Sequence, residues 1–562
     1  MDRYMGKLIQ AAEKRVDAFR RNQVRDTGRR DCGGMKMPVV DVKPTVYVLT
    51  TAVAVYLNRN SRYYQSPELY EAVSRGLDFV ARLQREDGTF DFPTCNFKSA
   101  PDTSFCFKRL IAAYRLLQKY DTENTEELKS KYYALLCRAA EGICNGGFHT
   151  PNHRWAICAA LMQGAGLLEE ASGLQAPNAA AEQNPDKKAA AQRYRARAGE
   201  YLAEGIDGDE DGQYAERSTG GYNAVVNNAM IAMYEESRDE KYLGYVERNL
   251  HMMLTYVDPD DTIFTQNSTR QDQGRTEYMD RYFYQYLYLT SLKFNPEFDA
   301  AAHKIIKDCV ERGDDAPDCL HIIMLHDGMQ HYSFSGYGFM DSYRCFYPNP
   351  GVLRVKTPRF GYTLLKDSRA FLFFKAGDTM IYLKIGESFC AVRSFIPKTL
   401  EAGEEGEYIL TANDKSWYYL PFKDYEGTSD WWKMDHAQRE ILNNGELGIR
   451  VKVTELEDGL QLNLKTDGLD QLPLRLCICV PSGSILENEH FYLQGEKGQS
   501  MILRDGCLTL THNGNRIQIG PGFGTHEFQG HYSGEEKNAS GYTIYLNDYT
   551  PCNRTITLRA ES

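Results

Sequence analysis

The sequence lacks any apolar run that approaches the roughly 20 residues needed to cross a bilayer. Residues 1–6 lead directly into an amphipathic helix pattern, without the apolar region or the small-residue cleavage site of a signal peptide. These two absences predict a cytoplasmic protein that has no membrane partner.

An excess of positive charge is absent as well. The chain carries 65 Lys and Arg residues against 77 Asp and Glu residues, which gives a formal net charge of −12. A nucleic acid or an anionic membrane surface would require a basic face, so we expect neither as a partner. A local cluster of arginine and histidine can still hold a small anion inside an acidic protein.

Paired cysteine motifs are also missing. The 14 cysteines are scattered and form no CxxC pair. Cys477 and Cys479 fall on the same face of one predicted strand, which indicates a structural role. We therefore expect reduced, mostly buried thiols.

The length and the aromatic content are the first positive features. At roughly 100–200 residues per domain, a chain of 562 residues predicts more than one core. Aromatic residues make up 12% of the chain, and tyrosine, with 38 residues, is the commonest of them. A tyrosine side chain has a flat apolar face and a hydroxyl, which suits the surface of a sugar. Tyrosines that line the edge of a large helical core would give the same composition.

The first part of the chain, residues 1–330, has helical periodicity. Apolar positions recur at helical spacing between Gly, Pro, Asp and Asn turns, for example in residues 69–83, 105–120, 129–143, 155–168, 222–237, 242–256 and 278–292. Helices paired in series predict a solenoid or a closed (α/α) toroid, although no strict repeat is visible. The segment Ser172–Ala198 predicts a surface insertion followed by an exposed helix.

The second part, residues 331–562, has the pattern of short strands. Alternating runs such as residues 360–365, 380–385, 448–453 and 474–480 are separated by Gly, Asp and Asn turns. Many short strands of this kind predict an antiparallel β-sandwich. The predicted fold class is therefore α+β multidomain, an N-terminal (α/α) toroid over 1–330 followed by a C-terminal β-sandwich over 331–562. The boundary is expected between Cys319 and Tyr347.

A first candidate loop precedes Trp155. Asn152 is a plausible N-cap of the helix that runs through Trp155, which would be a purely structural role. His153 and Arg154 then occupy the first helical turn, where cations oppose the helix dipole. An anion bound by His153, Arg154 and the free backbone N–H groups would resolve this conflict.

A second candidate loop spans residues 207–223. Asp207, Asp209 and Asp211 match the first half of a calcium loop, but the twelfth position is a serine where the motif requires glutamate. The alternatives are a structural divalent cation and a plain acidic turn before a helix. The second half of the loop brings together a carboxylate, a guanidinium, a phenol and an amide, those of Glu216, Arg217, Tyr222 and Asn223.

Further polar candidates lie outside these two loops. Arg270 and Asp272 belong to a polar loop between two helices and could simply pair with each other. Asp102 lies in an earlier loop, and His331 lies at the predicted domain junction, where clefts are common.

The order of the elements and the two candidate loops resemble the heparinase II/III-like and chondroitin/hyaluronate-type polysaccharide lyases. That resemblance implies β-elimination at a uronic acid, with an anionic oligosaccharide as substrate and no required cofactor. It implies that Asn152 neutralises the substrate carboxylate, that His153 is a second neutraliser or the base, and that Tyr222 is the acid/base. It further implies that Arg217 assists Tyr222. The remaining candidates are then expected to bind substrate: Arg154, Trp155, Glu216, Asn223, Arg270, Asp102 and His331.

Several alternatives stay open at this point. Tyr214, Tyr278 and Tyr282 are rivals of Tyr222 for the acid/base role. A glycoside hydrolase on the same scaffold, of the glucuronidase or unsaturated uronyl hydrolase type, would use carboxylates instead, and Asp102, Asp211 and Glu216 supply enough of them. A non-catalytic glycan-binding protein is the third possibility. If the enzyme is a cytoplasmic lyase, exolytic action on imported oligosaccharides is expected.

Overall fold

The computed structural model describes residues 1–120, 122, 125–170, 185–389, 392–424, 427–530, 532 and 538–561. The chain forms two compact units. The helical unit comprises Met1–Leu254 and Ile263–Met340, and the sheet unit comprises Thr255–Thr262 and Asp341–Ser562.

The helical unit begins its helices with recognisable start signals. Proline occupies the first turn of several helices, and the side chains of Ser66, Ser99 and Asn295 accept hydrogen bonds from backbone N–H groups of the turns that follow. The helices of the described residues are α1 Asp2–Asn22, α2 Lys43–Leu57, α3 Pro67–Leu83, α4 Ala100–Lys119, α5 Glu126–Cys144, α6 Pro151–Glu170, α7 Pro185–Ala203, α8 Tyr222–Ser237, α9 Lys241–Leu254, α10 Phe283–Leu292, α11 Pro296–Glu311, α12 Leu320–Leu325 and α13 Asp327–Gln330. A short 3₁₀ helix, Met279–Tyr282, precedes α10, and a small hairpin of β1 Phe90–Phe92 and β2 Asn96–Ser99 precedes α4.

The even-numbered helices α2 to α12 form the inner ring of a toroid. Residues of all six line one central cavity, and α2, α6 and α8 are apolar around most of their circumference, as expected of helices enclosed by others. The odd-numbered helices α1 to α11 are amphipathic or polar and pack outside them. The predicted (α/α) toroid is confirmed.

The inner helices all begin at the same end of the toroid. Lys43 at the start of α2 forms an ion pair with Asp102 in the first turn of α4, and Asn152 at the start of α6 contacts the loop that precedes α8. At the opposite end, Lys119 of α4 donates to the carbonyls of Met324 and Leu325 at the end of α12. The positive ends of six helix dipoles therefore converge on one rim.

In the described part of the sheet unit, the strands form two packed sheets of nine strands each. The first has the order β15-β14-β17-β18-β20-β12-β11-β10-β9, and the second has the order β16-β19-β13-β7-β6-β5-β4-β3, with β8 also paired to β7. All pairs are antiparallel except β16 with β19. The strands are β3 Tyr343–Tyr347, β4 Val352–Lys356, β5 Gly361–Leu365, β6 Leu372–Ala376, β7 Thr379–Phe389, β8 Val392–Ser394, β9 Thr399–Ala402, β10 Glu407–Tyr419, β11 Ile441–Leu456, β12 Gly459–Gly468, β13 Pro473–Pro481, β14 Ile485–Glu487, β15 Tyr492–Gln494, β16 Ser500–Ile502, β17 Leu508–His512, β18 Asn515–Gly520, β19 Gly541–Tyr549 and β20 Asn553–Glu561.

Alternating apolar side chains of both sheets form one core, which makes the unit a β-sandwich. The predicted fold class, α+β multidomain with a helical part before an antiparallel sheet part, is confirmed. The division of the chain after Met340 lies inside the interval expected for the boundary, although the domains were placed at 1–330 and 331–562. The sequence pattern did not indicate that Thr255–Thr262 belongs with the sheets.

Two further expectations concern whole segments. None of the described helices is both long and apolar enough to cross a bilayer. Within Ser172–Ala198, the expected exposed helix corresponds to the first part of α7, whereas the expected insertion over 172–184 lies outside the described residues.

Candidate active site

The start of α6 and the loop before α8 are joined through one buried carboxylate. Glu216 accepts hydrogen bonds from the backbone N–H of Asn152 at 3.0 Å and from its side-chain Nδ2 at 2.7 Å. Asn152 is completely buried, and its Nδ2 also donates to Thr150. Its amide donors are already used, so Asn152 positions Glu216 in this structure, and its role as neutraliser of a substrate carboxylate stays a prediction.

Glu216 also binds the third candidate loop. Arg270 Nε lies 3.2 Å from Glu216 Oε1, an ion pair whose angle does not make a hydrogen bond, and Thr269 donates its hydroxyl to the Glu216 carbonyl. Burial raises the pKa of the Glu216 carboxyl, and the hydrogen bonds from Asn152 work in the opposite direction. Glu216 therefore holds together three loops that are far apart in sequence.

A second carboxylate fixes the approach to α8. Asp272 accepts hydrogen bonds from the hydroxyls of Ser218 and Ser268 and from the backbone N–H of Gly220. A Cβ at Gly220 would lie 2.8 Å from Cγ of Glu277, so the chain can approach this closely only at a glycine. The pairing of Arg270 with Asp272 that the sequence left open is not formed, because each of these residues has a different partner.

Tyr222 begins α8 at this rim. Its ring lies under the guanidinium of Arg270, with 5.1 Å from Arg270 Cζ to the ring centroid, and its hydroxyl donates to Gln271 Oε1 at 3.3 Å. Arg217 has a left-handed backbone, with φ of 49°, and no described hydrogen bond or ion pair joins it to Tyr222. The cation that accompanies Tyr222 in this structure is therefore Arg270, and assistance from Arg217 stays a prediction that no described contact supports.

The rival tyrosines are engaged elsewhere. Tyr214 is buried and donates its hydroxyl to Asn227 at 2.8 Å, and Tyr282 is buried and donates to the Thr219 carbonyl at 2.5 Å. Burial raises the pKa of both hydroxyls. Tyr278 lies against Arg312, whose Cζ is 4.0 Å from the ring centroid. Tyr222 is therefore the only one of the four whose hydroxyl is both partly exposed and beside Arg270.

His153 lies in the first turn of α6, edge-on to Phe105 with ring centroids 5.8 Å apart. Its Nδ1 atom has no hydrogen-bond partner among the described residues. Burial lowers the pKa of His153 to about 4, while the charge of Asp102 acts in the opposite direction. The imidazole is therefore neutral at physiological pH, the form that can accept a proton.

Asp102 is also held by protein groups. Its carboxylate accepts from Ser99 Oγ at 2.6 Å, from Asn96 Nδ2 at 3.2 Å and from Lys43 Nζ at 3.3 Å. Lys43 lies over the face of Phe105, 4.7 Å from its centroid, which places a second cation at the rim beside His153.

Asn223 follows Tyr222 and is completely buried. Neither its Nδ2 nor its Oδ1 atom has a hydrogen-bond partner among the described residues. Because buried amides are nearly always paired, an unpaired amide beside the acid/base candidate favours a ligand group at this position.

Three of the predicted substrate-binding residues do not reach this rim. Trp155 is completely buried and donates its Nε1–H to Asp207 at 2.5 Å, so it is a core residue. Arg154 donates to Glu204 and to the Gly205 carbonyl, which turns it towards the end of α7. His331 ends α13 beside Asp327, at the opposite end of the toroid. The structure therefore does not bring these three residues together with the others, and substrate binding by them is not proposed further.

The predicted cation loop is closed by its own hydrogen bonds. Asp209 accepts from the backbone N–H of Gln213, and Asp207 accepts from the Trp155 indole. The structure does not test metal binding there, so the cation site of Asp207, Asp209 and Asp211 stays a prediction. Among the described residues, three potential metal ligands converge at Asp280, Cys309 and Asp314, but Arg312 already binds both carboxylates.

A cavity of about 300 Å³ lies inside the inner ring next to the rim. Gly221 and Phe105 line it, and they adjoin Tyr222 in sequence and His153 in space. The sequence analysis missed most of the polar side chains that line this cavity or the rim. Lys43 could have been found, since it precedes a proline at the start of an apolar helix, but no local pattern indicates the others: Tyr47, Lys108, Arg109, Arg281, Tyr284, Asp318 and His321.

The protein resembles known proteins in its structure but not detectably in its sequence. No model of a known protein family matches the sequence, and no curated protein sequence matches it significantly. The structure is similar to that of a xanthan lyase from Paenibacillus, with a TM-score of 0.55 and 10% sequence identity over all of this chain. The fold is that of a polysaccharide lyase. The chain spans only 57% of the length of the xanthan lyase. A chondroitin lyase of a baculovirus envelope also matches, with a TM-score of 0.44, 10% identity, and coverage of 100% of this chain and 84% of the lyase.

Proposed function

We propose that this protein is a lyase that cleaves a uronic-acid-containing oligosaccharide by β-elimination, acting from the chain end. The observation that carries the proposal is a contrast between two kinds of group at the rim. The carboxylates of Asp102, Glu216 and Asp272 are all occupied by protein hydrogen bonds or ion pairs. The Tyr222 hydroxyl, by contrast, is partly exposed beside Arg270.

The reaction requires a base for the proton on C5 of the uronate, next to its carboxylate. That proton becomes acidic enough only when the negative charge that develops on the carboxylate is stabilised. The groups at the rim that can contribute are Arg270 and Lys43, each of which also pairs with a carboxylate, and the unpaired amide of Asn223. The converging helix N-termini add to the same positive potential.

The proton transfers are assigned to Tyr222 and His153. Tyr222 is assigned the removal of the C5 proton because its hydroxyl is partly exposed at the rim. The electron pair of the C5–H bond then forms the C4–C5 double bond, the C4–O bond breaks, and the departing oxygen takes a proton. Neutral His153 can serve as the base in place of Tyr222, which then protonates the leaving oxygen.

The test uses acidic oligosaccharides and follows the ultraviolet absorbance of the new conjugated double bond. Tyr222→Phe is expected to lower kcat by about 10²- to 10⁴-fold, the usual contribution of a positioned acid or base. Tyr278→Phe is the matched control, because that tyrosine lies against Arg312 and not at the rim. Full activity in the Tyr222→Phe variant would contradict the assignment.

A glycoside hydrolase on this scaffold is the second candidate. Burial raises the pKa of Glu216, as a general acid requires, although Asn152 and Arg270 occupy both of its oxygens. A hydrolase would release reducing ends without any new ultraviolet absorbance, and Glu216→Gln would abolish that release. Binding of oligosaccharide without either product would indicate a non-catalytic glycan-binding protein.

A further inference from the structure

The interior cavity of the toroid is open because small side chains line two neighbouring helices. Ala156, Ala159 and Ala160 face it from α6, and Ala224 and Ala232 face it from α8. Its volume of about 300 Å³ lies at the lower limit of the roughly 300–1,000 Å³ of small-molecule sites. The space suits a single sugar ring rather than a length of polymer.

The cavity contains a lysine, Lys108, that has no counter-charge among the described residues. Lys108 projects from α4 into the cavity, and no described residue forms a hydrogen bond or an ion pair with its ammonium group. Burial, followed by the neighbouring charge of Arg109, lowers the pKa of Lys108 to about 7. Lys108 is half-buried and lines the open space of the cavity, where an anionic ligand would supply the counter-charge that the protein does not provide.

Most other charged groups that line the cavity are already compensated, and the exposed Arg281 is the exception among the described residues. Arg109 forms an ion pair with Asp318 at 3.1 Å and contacts Nε2 of His321 at 3.0 Å. Asp280 accepts two hydrogen bonds from Arg312. The carboxylates that line the cavity are therefore engaged with arginines, and none of them is available to Lys108.

We propose that this cavity binds one acidic sugar residue at the end of a chain, with Lys108 as the partner of its carboxylate. Apolar alanine walls suit the ring faces, and the polar groups of Tyr47, Gln163, Asn228 and Tyr284 line the cavity where sugar hydroxyls would lie. The choice of a sugar acid rests on the proposed function, whereas the open cavity and its unpaired ammonium group do not. A site for a single terminal ring accounts for cleavage from the chain end.

The test is a titration of the full chain with sodium glucuronate, followed by calorimetry or ligand-observed NMR. Lys108→Met keeps the length of the side chain and removes the charge, so the dissociation constant is expected to rise about 10- to 100-fold, as for the loss of a charged hydrogen bond. Lys293→Met, at an exposed position after α10, is the matched control and is expected to bind like the parent chain. Tyr222→Phe is also expected to bind glucuronate.

A second arm needs no variant and so does not depend on how Lys108→Met folds. The parent chain is titrated with the methyl ester of glucuronate and with glucose, which have the same ring without the charge. Both are expected to bind at least about 10-fold more weakly than glucuronate. Inorganic phosphate is the third probe and is expected to compete only weakly, because it cannot use the alanine walls.

The outcomes separate this inference from the proposed function. Unchanged glucuronate binding in Lys108→Met, equal binding of the methyl ester, or equal binding of phosphate would each overturn the inference. A chain that forms no unsaturated product, yet binds glucuronate through Lys108, would disprove the lyase proposal and leave the site intact. If the Lys108→Met variant forms unsaturated product at the parent rate and binds glucuronate as the parent chain does, the inference is disproved and the lyase proposal stays intact.

Discussion

Glu387 on β7 is a carboxyl group that lies inside the β-sandwich without a partner. It is only 1% exposed, and neither of its oxygens has a hydrogen-bond partner among the described residues. Burial, followed by the charge of Asp414, raises the pKa of Glu387 from 4.5 to about 8. The folded protein therefore holds a proton there that the unfolded chain releases at neutral pH.

This difference makes the stability of the sheet unit depend on pH. Below the unfolded pKa of 4.5 the group is protonated in both states and imposes no penalty. As the pH rises towards about 8, the free energy of unfolding is expected to fall by about 2–5 kcal/mol, and above that pH the fall ends. Glu387→Gln, which is neutral at every pH, should remove this slope.

The measurement is denaturant unfolding of the parent and the Glu387→Gln variant at a series of pH values between those two limits. Glu401→Gln, at an exposed position on β9, is the control and should leave the slope in place. Parallel pH profiles for the parent and Glu387→Gln would show that the carboxyl finds a partner or water in solution.

At the scale of elements, buried ion pairs explain why the segment Thr255–Thr262 belongs with the sheet unit. Arg354 on β4 is completely enclosed and donates to Asp258 at 2.6 Å and to the Thr255 carbonyl at 3.1 Å. Lys375 on β6 donates to the same carboxylate at 3.2 Å. Buried charges are tolerated only when paired, so both cations need this segment.

Asp258→Asn is therefore expected to destabilise the sheet unit by about 3–5 kcal/mol, because it leaves the Arg354 charge buried without a carboxylate. The control is Asp458→Asn, which removes the partner of the half-exposed Arg559 on the surface of the same unit and should cost about 1 kcal/mol or less. Denaturant unfolding in one buffer compares the two variants. Equal losses would mean that water reaches Arg354.

Most individual elements could be predicted from local sequence. The helix predicted over 222–237 matches α8, and the one predicted over 69–83 differs from α3 only by the two residues that follow the Ser66 cap. The strand predicted over 380–385 lies inside β7. Periodicity and capping are local properties, so these predictions needed no knowledge of distant residues.

The site could be predicted only in part, for the opposite reason. The sequence indicated Glu216, Tyr222 and Arg270 as polar residues in loops, but the partner of Glu216 is 64 positions away in Asn152. No spacing rule distinguishes an asparagine that binds substrate from one that holds a carboxylate in place. Lys108 was missed because a lysine in an amphipathic helix usually faces solvent.

On the scale of the whole molecule, the charge distribution has two opposing parts. The formal net charge is −12. The rim cations Lys43 and Arg270 are paired with Asp102 and Glu216, whereas Lys108 in the cavity has no ion-pair partner among the described residues. A short acidic oligosaccharide can place its terminal charge beside Lys108 in the cavity and leaves little of itself outside. A long polyanion must also place many charges against the acidic exterior, and that repulsion extends over about 30 Å at 0.01 M salt but only about 10 Å at 0.1 M.

Salt is therefore expected to change chain-length preference. Between about 0.01 M and 0.1 M sodium chloride, kcat/KM for a long acidic polymer should rise about two- to fivefold as the repulsion is screened, while kcat/KM for a di- or trisaccharide of the same sugars should stay level or fall. Initial rates of double-bond formation at several salt concentrations measure both substrates in one assay, and a neutral solute at matched osmolarity is the control. If kcat/KM falls equally for the polymer and the short oligosaccharide as salt rises, attraction to the local cations dominates for both substrates. The acidic exterior would then have no part in selecting short chains.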